Sequence, residues 1–465
     1  MHNIFSTKYM LKPDSVYGET PSTKEAYGTL IRMALPSVAE MVLSSLIGSV
    51  DTMMVGSISA ASIAAVGLTG QPRMLILSIF FALNVGLTAV VARRKGEGRR
   101  EDAQATLKNA VVIIFFLSII LTVFAIIFAR PLMLFAGAIE GETLELSETY
   151  FRIITMGAPL NALTMAINAA QRGIGNTKTT MYVNITSNVV NVIFNYFLIG
   201  GNMGFPKLGV AGAAIASVIG FCVGFIFCVY SLLRKDNFLK IHIRSSWRLR
   251  KEILAPLIKV GGNAVIEQIA LRIGFFSFAI IVANLGTDNF AAHQIGMQFL
   301  NITFTFGDGI GVAGTSLVGQ NLGRERPDIS IIYGKVSQRV ALCISAVMFI
   351  ILTTLRVPLA SLFTDEAHII QLTSELMLIS AFIQIFQTSS TVITGCLRGS
   401  GDTKFVAITM IICVTLLRPI LSLIAINVLG LGLHGAWFAT LIDIIVRFIC
   451  SYLRFSSSKW TKIKV

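Results

Sequence analysis

Glu40, Asp51, Glu267, Asp308 and Asp443 are carboxylates in stretches otherwise apolar enough to lie in lipid. A charge in hydrocarbon costs several kcal/mol, by estimates from about 3 to above 10, so such groups face protein or water and by default mark function. Glu40 and Asp51 share the run LIRMALPSVAEMVLSSLIGSVDTMMVG, residues 30–56. They are separated by about three helical turns plus ~20°, at roughly 100° per residue, and so point to nearly one face. Pro36 removes a backbone hydrogen bond one turn before Glu40 and can bend the helix. An acidic face of this kind is suited to cations: a proton, a metal ion or a positively charged organic molecule. The plain alternative for Asp51 is a cap near the end of its helix.

The segment NITSNVVNVIFNYF adds amides. Asn191 and Asn195 are four apart on one helical face, and Asn184 and Asn188 extend the row. Amide oxygens opposite a carboxylate suit Na⁺ or a relayed proton. Asparagine also joins membrane helices to one another, and both readings stay open here. Glu267 lies about 21 Å along its run, near mid-membrane, with Asn263 one turn earlier on the same face. A carboxylate in apolar surroundings can trade a proton for a cationic substrate; a salt bridge to another helix is the structural alternative. Asp308, flanked by glycines in FGDGIGVAG, reads as a kink or a cleft residue. Asp443 and Arg447, an i, i+4 pair, read as neutralising each other. Arg73 and Arg418 read as counter-charges or snorkelling residues. Phe275, Phe276, Phe299, Phe304 and Phe306 are candidates for an apolar cavity wall.

The elements that must position these residues are membrane helices. The chain is 54% hydrophobic and 13% charged over 465 residues, too little charge for a soluble surface of this size. Twelve runs are long enough to span about 30 Å: 28–52, 62–92, 107–130, 147–170, 179–200, 208–233, 253–283, 290–318, 331–356, 370–396, 405–428 and 433–455. The net charge of +14 sits in short loops, where it sets topology and argues against nucleic acid. The basic segments 93–100, 172–178, 234–251, 323–328, 398–404 and 459–464 alternate with neutral or acidic ones at 137–148, 286–289 and 363–368. Both termini therefore belong on the cytoplasmic side. The six cysteines lie in or beside apolar runs without metal spacing. No cleavable signal peptide precedes the first run.

The runs repeat. A shift of 227 lays Glu40 on Glu267, Gln71 on Gln298 and Thr88 on Thr315; a shift of 226 lays RGIGNTK (172–178) on RGSGDTK (398–404); a shift of 223 lays LGVAGAAIAS (208–217) on LGLHGAWFAT (431–440). Six helices per half give two halves of the same orientation, a parallel repeat enclosing a central cleft. The expected organisation is a mobile cytoplasmic tail (1–26), an N-lobe (27–233), a basic cytoplasmic linker (234–252), a C-lobe (253–456) and a short tail (457–465). The fold class is thus an all-α integral membrane protein of twelve helices in two six-helix lobes. The RGxGxTK loops do not match a phosphate loop and read as glycine helix stops. No HExxH, Walker or GxSxG motif occurs, so neither an enzyme nor a nucleotide-driven pump is expected.

The segments ALPSVAE…VDTMMVG, AAVGLTGQ, AQRGIGNTK, LGVAGAAIAS, AAHQIGMQ and CLRGSGDTK resemble the multidrug and toxic compound extrusion (MATE) transporters, in particular the bacterial NorM-like branch. The likeness spans nearly the whole chain. It implies alternating access of two lobes and export of cationic or aromatic drug-like molecules in exchange for H⁺ or Na⁺, with no other cofactor. The resemblance places the first-helix acid on Asp51, the helix-bending proline on Pro36, the polar pair of the fifth helix on Asn191 and Asn195, the sixth-helix hydroxyl on Ser217, and the seventh-helix glutamate on Glu267. A Na⁺ site would use Asp51, Asn191 and Asn195. Glu40, Asn263, Asp308 and Gln387 are possible cleft residues. Gln387 is a departure, since the branch carries an acid there. The implied protein is a monomer in the inner or plasma membrane. A flippase for a lipid-linked saccharide or other amphiphile is one alternative; a polytopic membrane enzyme or receptor-like binding protein is another.

Overall fold

Backbone groups in hydrocarbon find no water and must be satisfied within the segment, which long apolar runs achieve as helices. The computed structural model describes residues 5–11, 16–234, 236–241 and 249–463, and those residues form helices joined by short loops. In chain order these are α1 (Thr23–Gly56), α2 (Ala60–Gly96), α3 (Arg100–Ile127), a short α4 (Ala129–Phe135), α5 (Glu142–Met156), α6 (Ala158–Gly173), α7 (Thr177–Gly200), α8 (Gly209–Leu233), α9 (Lys251–Ala283), α10 (Thr287–Gly323), α11 (Pro327–Thr354), a short α12 (Arg356–Ala360), α13 (Ala367–Gly399), α14 (Thr403–Met410), a π-helical turn Ile411–Leu417 that runs into α15 (Arg418–Asn427), and α16 (Gly432–Ser456).

Among the described residues, ten helices are long and apolar enough to cross a membrane, and the pair α5–α6 makes an eleventh span bent by 48°. The bend falls at Gly157, where a side chain would meet Val218 Cγ2 at 2.8 Å. Pro159 stands in the first turn of α6, as suits a helix start, although 147–170 reads as one unbroken run. α10 supplies the twelfth long helix. Its 37 residues are ample for a span, but His293, Gln294, Gln298, Asn301 and Asp308 dilute its apolar character. Large apolar side chains on other helices face outward, as Phe116, Ile120 and Phe124 do on α3. Such exposure suits lipid rather than water.

The chain gathers into two compact units. The N-terminal unit comprises residues 39–95 and 99–261; the C-terminal unit comprises 1–38, 96–98 and 262–465. α1 is divided between them two residues after Pro36, and α9 is divided at 261/262. α1 itself continues as one helix through Pro36.

Within the C-terminal unit, α10 and α13 approach through small residues. A side chain at Gly395 would lie 2.7 Å from Gly311 O, and one at Gly399 would lie 2.3 Å from Thr315 O. This is the small-xxx-small packing of membrane helices, in which dispersion replaces the hydrophobic effect. α10 runs as one helix through Gly307–Asp308–Gly309. Gly309 admits α1, since a Cβ would sit 2.4 Å from Val38 Cγ2.

The amino-terminal segment is docked in its described part. Lys335 donates to the Met10 carbonyl at 2.6 Å, Tyr17 N–H donates to Asp328 at 3.1 Å and Arg326 donates to the Glu19 carbonyl at 2.7 Å. In the basic stretch 234–252, residues 235 and 242–248 lie outside the described residues. Arg100 holds the preceding turn through the carbonyls of Asn237 and Phe238 at 2.9 and 3.0 Å.

Candidate functional site

Within the N-terminal unit, α1 and α7 run in the same direction with one constant register. Asn184 donates to Glu40 at 2.5 Å, Asn188 to Ser44 Oγ at 3.0 Å and Asn195 to Asp51 Oδ1 at 2.7 Å. Each pair is separated by the same 144 residues. The equal spacing arises because both helices repeat every 3.6 residues, so two facing polar stripes stay in step. The four asparagines of α7 thus meet the acidic face of α1.

At one end of this rail Asp51 is surrounded by amides. Asn195 is 2% exposed, and its own Oδ1 is buried without a partner. The Asn191 amide is satisfied at both ends when its nitrogen faces Asp51, donating to Oδ1 and Oδ2 at 3.0 and 2.8 Å. Its oxygen then accepts from Ser217 Oγ at 3.1 Å and Ser217 N–H at 3.0 Å. Hydrogen-bond satisfaction is the ground for choosing that orientation. Asp51, Asn191, Asn195 and Ser217, picked out separately in the sequence, therefore form one cluster from α1, α7 and α8. Arg73 of α2 stands over the Phe221 ring at 6.0 Å and exerts an attractive field on Asp51. Below the cluster lies a cavity of about 260 Å³, lined among others by Ser44, Gly48, Asp51, Asn161 and Asn188. A carboxylate ringed by amides, each able to turn either N–H or C=O inward, can hold a proton or a small hard cation.

At the other end of the rail Glu40 is 5% exposed and fully engaged. Besides Asn184 it accepts from Thr180 Oγ1 at 3.0 Å and from Arg172 at 3.3 Å. The C-terminal unit repeats the arrangement: Glu267, 1% exposed, is bonded by Arg398. Arg172 and Arg398 are the arginines of the two RGxGxTK loops. Each loop also sends its first glycine against a threonine of the second helix of its repeat. A side chain at Gly173 would meet Thr88 O at 2.8 Å, as one at Gly399 would meet Thr315 O. Thr88 and Thr315 return hydrogen bonds to the carbonyls of Ala169 and Gly395 at 3.0 and 2.7 Å. The second glycine, Gly175 or Gly401, takes a positive φ of 81° or 89° and ends the helix. The motif is therefore a helix stop, as expected, and also an anchor for a buried glutamate, which was not. The signal was present, because both glutamate and arginine recur at nearly the same shift.

The remaining residues separate. Asn263 donates to Thr403 Oγ1 at 3.3 Å, and Asp308 stays exposed near the Arg398 charge. Gln387 accepts from Arg447 at 3.2 Å and donates to Thr391 at 3.1 Å. Asp443 does not pair with Arg447 alone. Arg418, the first residue of α15, donates to its Oδ2 at 2.9 and 2.6 Å, while Arg447 reaches the same oxygen at 3.5 Å. The phenylalanine cluster assembles only in part: Phe275 and Phe304 line one cavity, whereas Phe276 is 69% exposed and Phe299 stacks edge-on with Phe363 at 5.5 Å.

The MatE family model matches this chain twice, at residues 36–197 and 264–424, one match in each half. A probable multidrug resistance protein NorM of Thermotoga maritima is 30% identical over 437 residues, covering 93% of both chains. An uncharacterized transporter, YisQ, of Bacillus subtilis is 27% identical over 449 residues, covering 96% of this chain and 98% of its own. The outward-facing structure of a multidrug resistance MATE family transporter of the MOP superfamily superposes with a TM-score of 0.86 at 22% identity, over 93% of this chain and 97% of the other. With all-helical architecture, a doubled family match and full-length relatives agreeing, the chain belongs to the MatE family, whose members are multi-pass membrane transporters and not enzymes.

Proposed function

We propose that this protein exports cationic and aromatic drug-like molecules from the cell by exchange for H⁺ or Na⁺, through alternating access of an N-lobe (27–233) and a C-lobe (253–456). The observation that carries this reading is the Asp51 cluster: an ionisable group on a polar cavity, ringed by Asn191, Asn195 and Ser217 rather than paired with a cation. The coupling cation binds at Asp51 and favours one lobe arrangement; its release favours the other. A cationic substrate competes for the same negative charge. The names of the relatives support the substrate class, since NorM of Thermotoga maritima is described as a probable multidrug resistance protein. Loop charges support cytoplasmic termini, and the protein acts as a monomer in the inner or plasma membrane.

The seventh-helix carboxylate is given a lesser part in this reading. Glu267 is bonded to Arg398, and the residue where the branch carries an acid is Gln387, itself tied to Arg447. Ethidium efflux from vesicles containing the protein, with Na⁺ and H⁺ gradients imposed separately, tests the proposal. Efflux under one gradient, abolished by Asp51→Asn with the protein still in the membrane, is the expected result. Export retained by that variant overturns the role of Asp51. Absence of efflux under either gradient shifts the reading to a flippase of amphiphiles.

A further inference from the structure

The C-terminal unit contains a second charged cluster that the transport reading does not use. Arg418, Arg447 and Asp443 are 3, 6 and 0% exposed. Both guanidiniums address the same carboxylate oxygen, and arginine keeps its charge inside proteins. Among the described residues no second carboxylate bonds either guanidinium, although the field of Glu267 reaches Arg447. The other partners of Arg447 are the neutral Gln387 Oε1 and Met410 Sδ, at 3.2 and 3.8 Å. Arg418 stands over the rings of Phe275 and Phe278 at 5.1 and 5.7 Å. Glu267 is held by Arg398. Two guanidiniums thus share one directly bonded carboxylate in an apolar interior, where an incompletely paired charge is unfavourable.

Beside the cluster is a space of about 30 Å³, walled by Arg418, Arg447, Gln387, Trp437 and aromatic side chains. Two N–H groups of these walls, Arg447 Nε and Trp437 Nε1, have no acceptor. Orphaned buried donors are rare. Asp443 Oδ1 is also without a partner, but Asp443 does not line the space. A water molecule would satisfy the donors and leave the charge incompletely paired; an anion would answer both.

We propose that this pocket binds a small monovalent anionic group, a halide or the carboxylate of an aromatic acid, between Arg418, Arg447 and Trp437. Its volume is enough for one ion or for one carboxylate head, the remainder of an aromatic acid lying beyond it. The amide at Gln387 is what leaves the site open, since a glutamate there would neutralise Arg447 internally.

The test is thermal melting of the purified full-length protein at constant ionic strength in sodium gluconate, chloride, bromide and benzoate. Chloride, bromide or benzoate should raise the melting temperature saturably over the bulky gluconate. Arg447→Gln leaves a neutral Arg418–Asp443 pair and should abolish the increment, whereas Arg447→Lys should keep it. Gln387→Glu provides the missing counter-charge; it should raise the melting temperature in gluconate and remove the anion dependence, and it serves if Arg447→Gln fails to fold. A rise with halides alone identifies a free ion as the ligand, and a rise with benzoate identifies a carboxylate head. Equal increments in wild type, Arg447→Gln and Gln387→Glu, or no increment in wild type, overturn the proposal and leave the space to water.

Discussion

Neutralising Glu40 should destabilise this protein, whereas neutralising Asp51 on the same helical face should not. Glu40 is 5% exposed and accepts from Arg172 at 3.3 Å, as well as from Thr180 and Asn184. Unit charges at that distance attract by about 5 kcal/mol at an effective dielectric constant near 20, before desolvation is counted. Removing one partner of a buried pair costs about 3–5 kcal/mol. The Arg172 side chain is 20% exposed, so water recovers part of that, leaving about 2–4 kcal/mol. Asp51 makes no ion pair among the described residues; Asp51→Asn keeps the bond from Asn195 and sets one amide nitrogen against Asn191, an exchange of about 1 kcal/mol. Unfolding entropy for 465 residues is about 1 kcal/mol per kelvin. Glu40→Gln should therefore melt roughly 2–4 °C lower and Asp51→Asn within about 1 °C of wild type. A double-mutant cycle with Arg172→Gln isolates the pair and should give a coupling of about 1–3 kcal/mol. If Glu40→Gln melts with wild type, or Asp51→Asn falls as far as Glu40→Gln, the division into an anchoring and a working carboxylate is wrong.

The repeated anchor predicts that Glu267→Gln is destabilised to a similar extent as Glu40→Gln, by about 2–4 kcal/mol in the same melting assay. Gly399→Ala should cost more than Gly173→Ala, because its methyl would lie 2.3 Å from a carbonyl oxygen rather than 2.8 Å; overpacking of this kind costs about 1–3 kcal/mol, and equal melting of the two variants would contradict the close approach of α13 to α10. Asn195→Asp places a second carboxylate beside Asp51, within the 2.7 Å spacing the amide now occupies. Because carboxylate count tunes hard-cation affinity, the Na⁺ concentration for half-maximal efflux should fall roughly tenfold; an unchanged requirement would place the coupling cation elsewhere.

Most of the architecture was legible because lipid imposes a length and a polarity that a sequence must display. The duplication was equally plain, since Glu40, Thr88 and the RGxGxTK loop each recur. The Asp51 cluster was legible in part: the spacing of Asn191 and Asn195 put both on one face, and that face does meet Asp51. Two kinds of feature were not. The break at Gly157 packs against Val218, far away in sequence; Pro159 in the first turn of α6 is its one local signal. The partners of charged residues were also hidden. Asp443 sees Arg447 along its own helix, but α15 brings Arg418 to a shorter distance from another. Periodicity describes one helix at a time, whereas pairing depends on which helices face.

The duplication also explains why the two units carry opposite chemistry. What repeats is the scaffold: Glu40–Arg172 and Glu267–Arg398, Thr88–Ala169 and Thr315–Gly395, and the glycines that admit them. At the same shifts the working residues do not repeat. Asp51 falls on Phe278, Asn191 on Leu417 and Asn195 on Leu421. The N-terminal unit thus places a carboxylate and amides where the C-terminal unit has apolar side chains, with Arg418 lying over the Phe278 ring. Two copies of one scaffold have diverged into a half suited to cations and a half in which two arginines share one bonded carboxylate. If the division is real, introducing an acid has opposite consequences in the two halves. Asn195→Asp should strengthen cation coupling without requiring an anion, whereas Gln387→Glu should stabilise the protein and leave the coupling ion unchanged. Melting and gradient-driven efflux on both variants decide it: a change of coupling ion in Gln387→Glu would mean that the C-terminal unit takes part in cation binding after all.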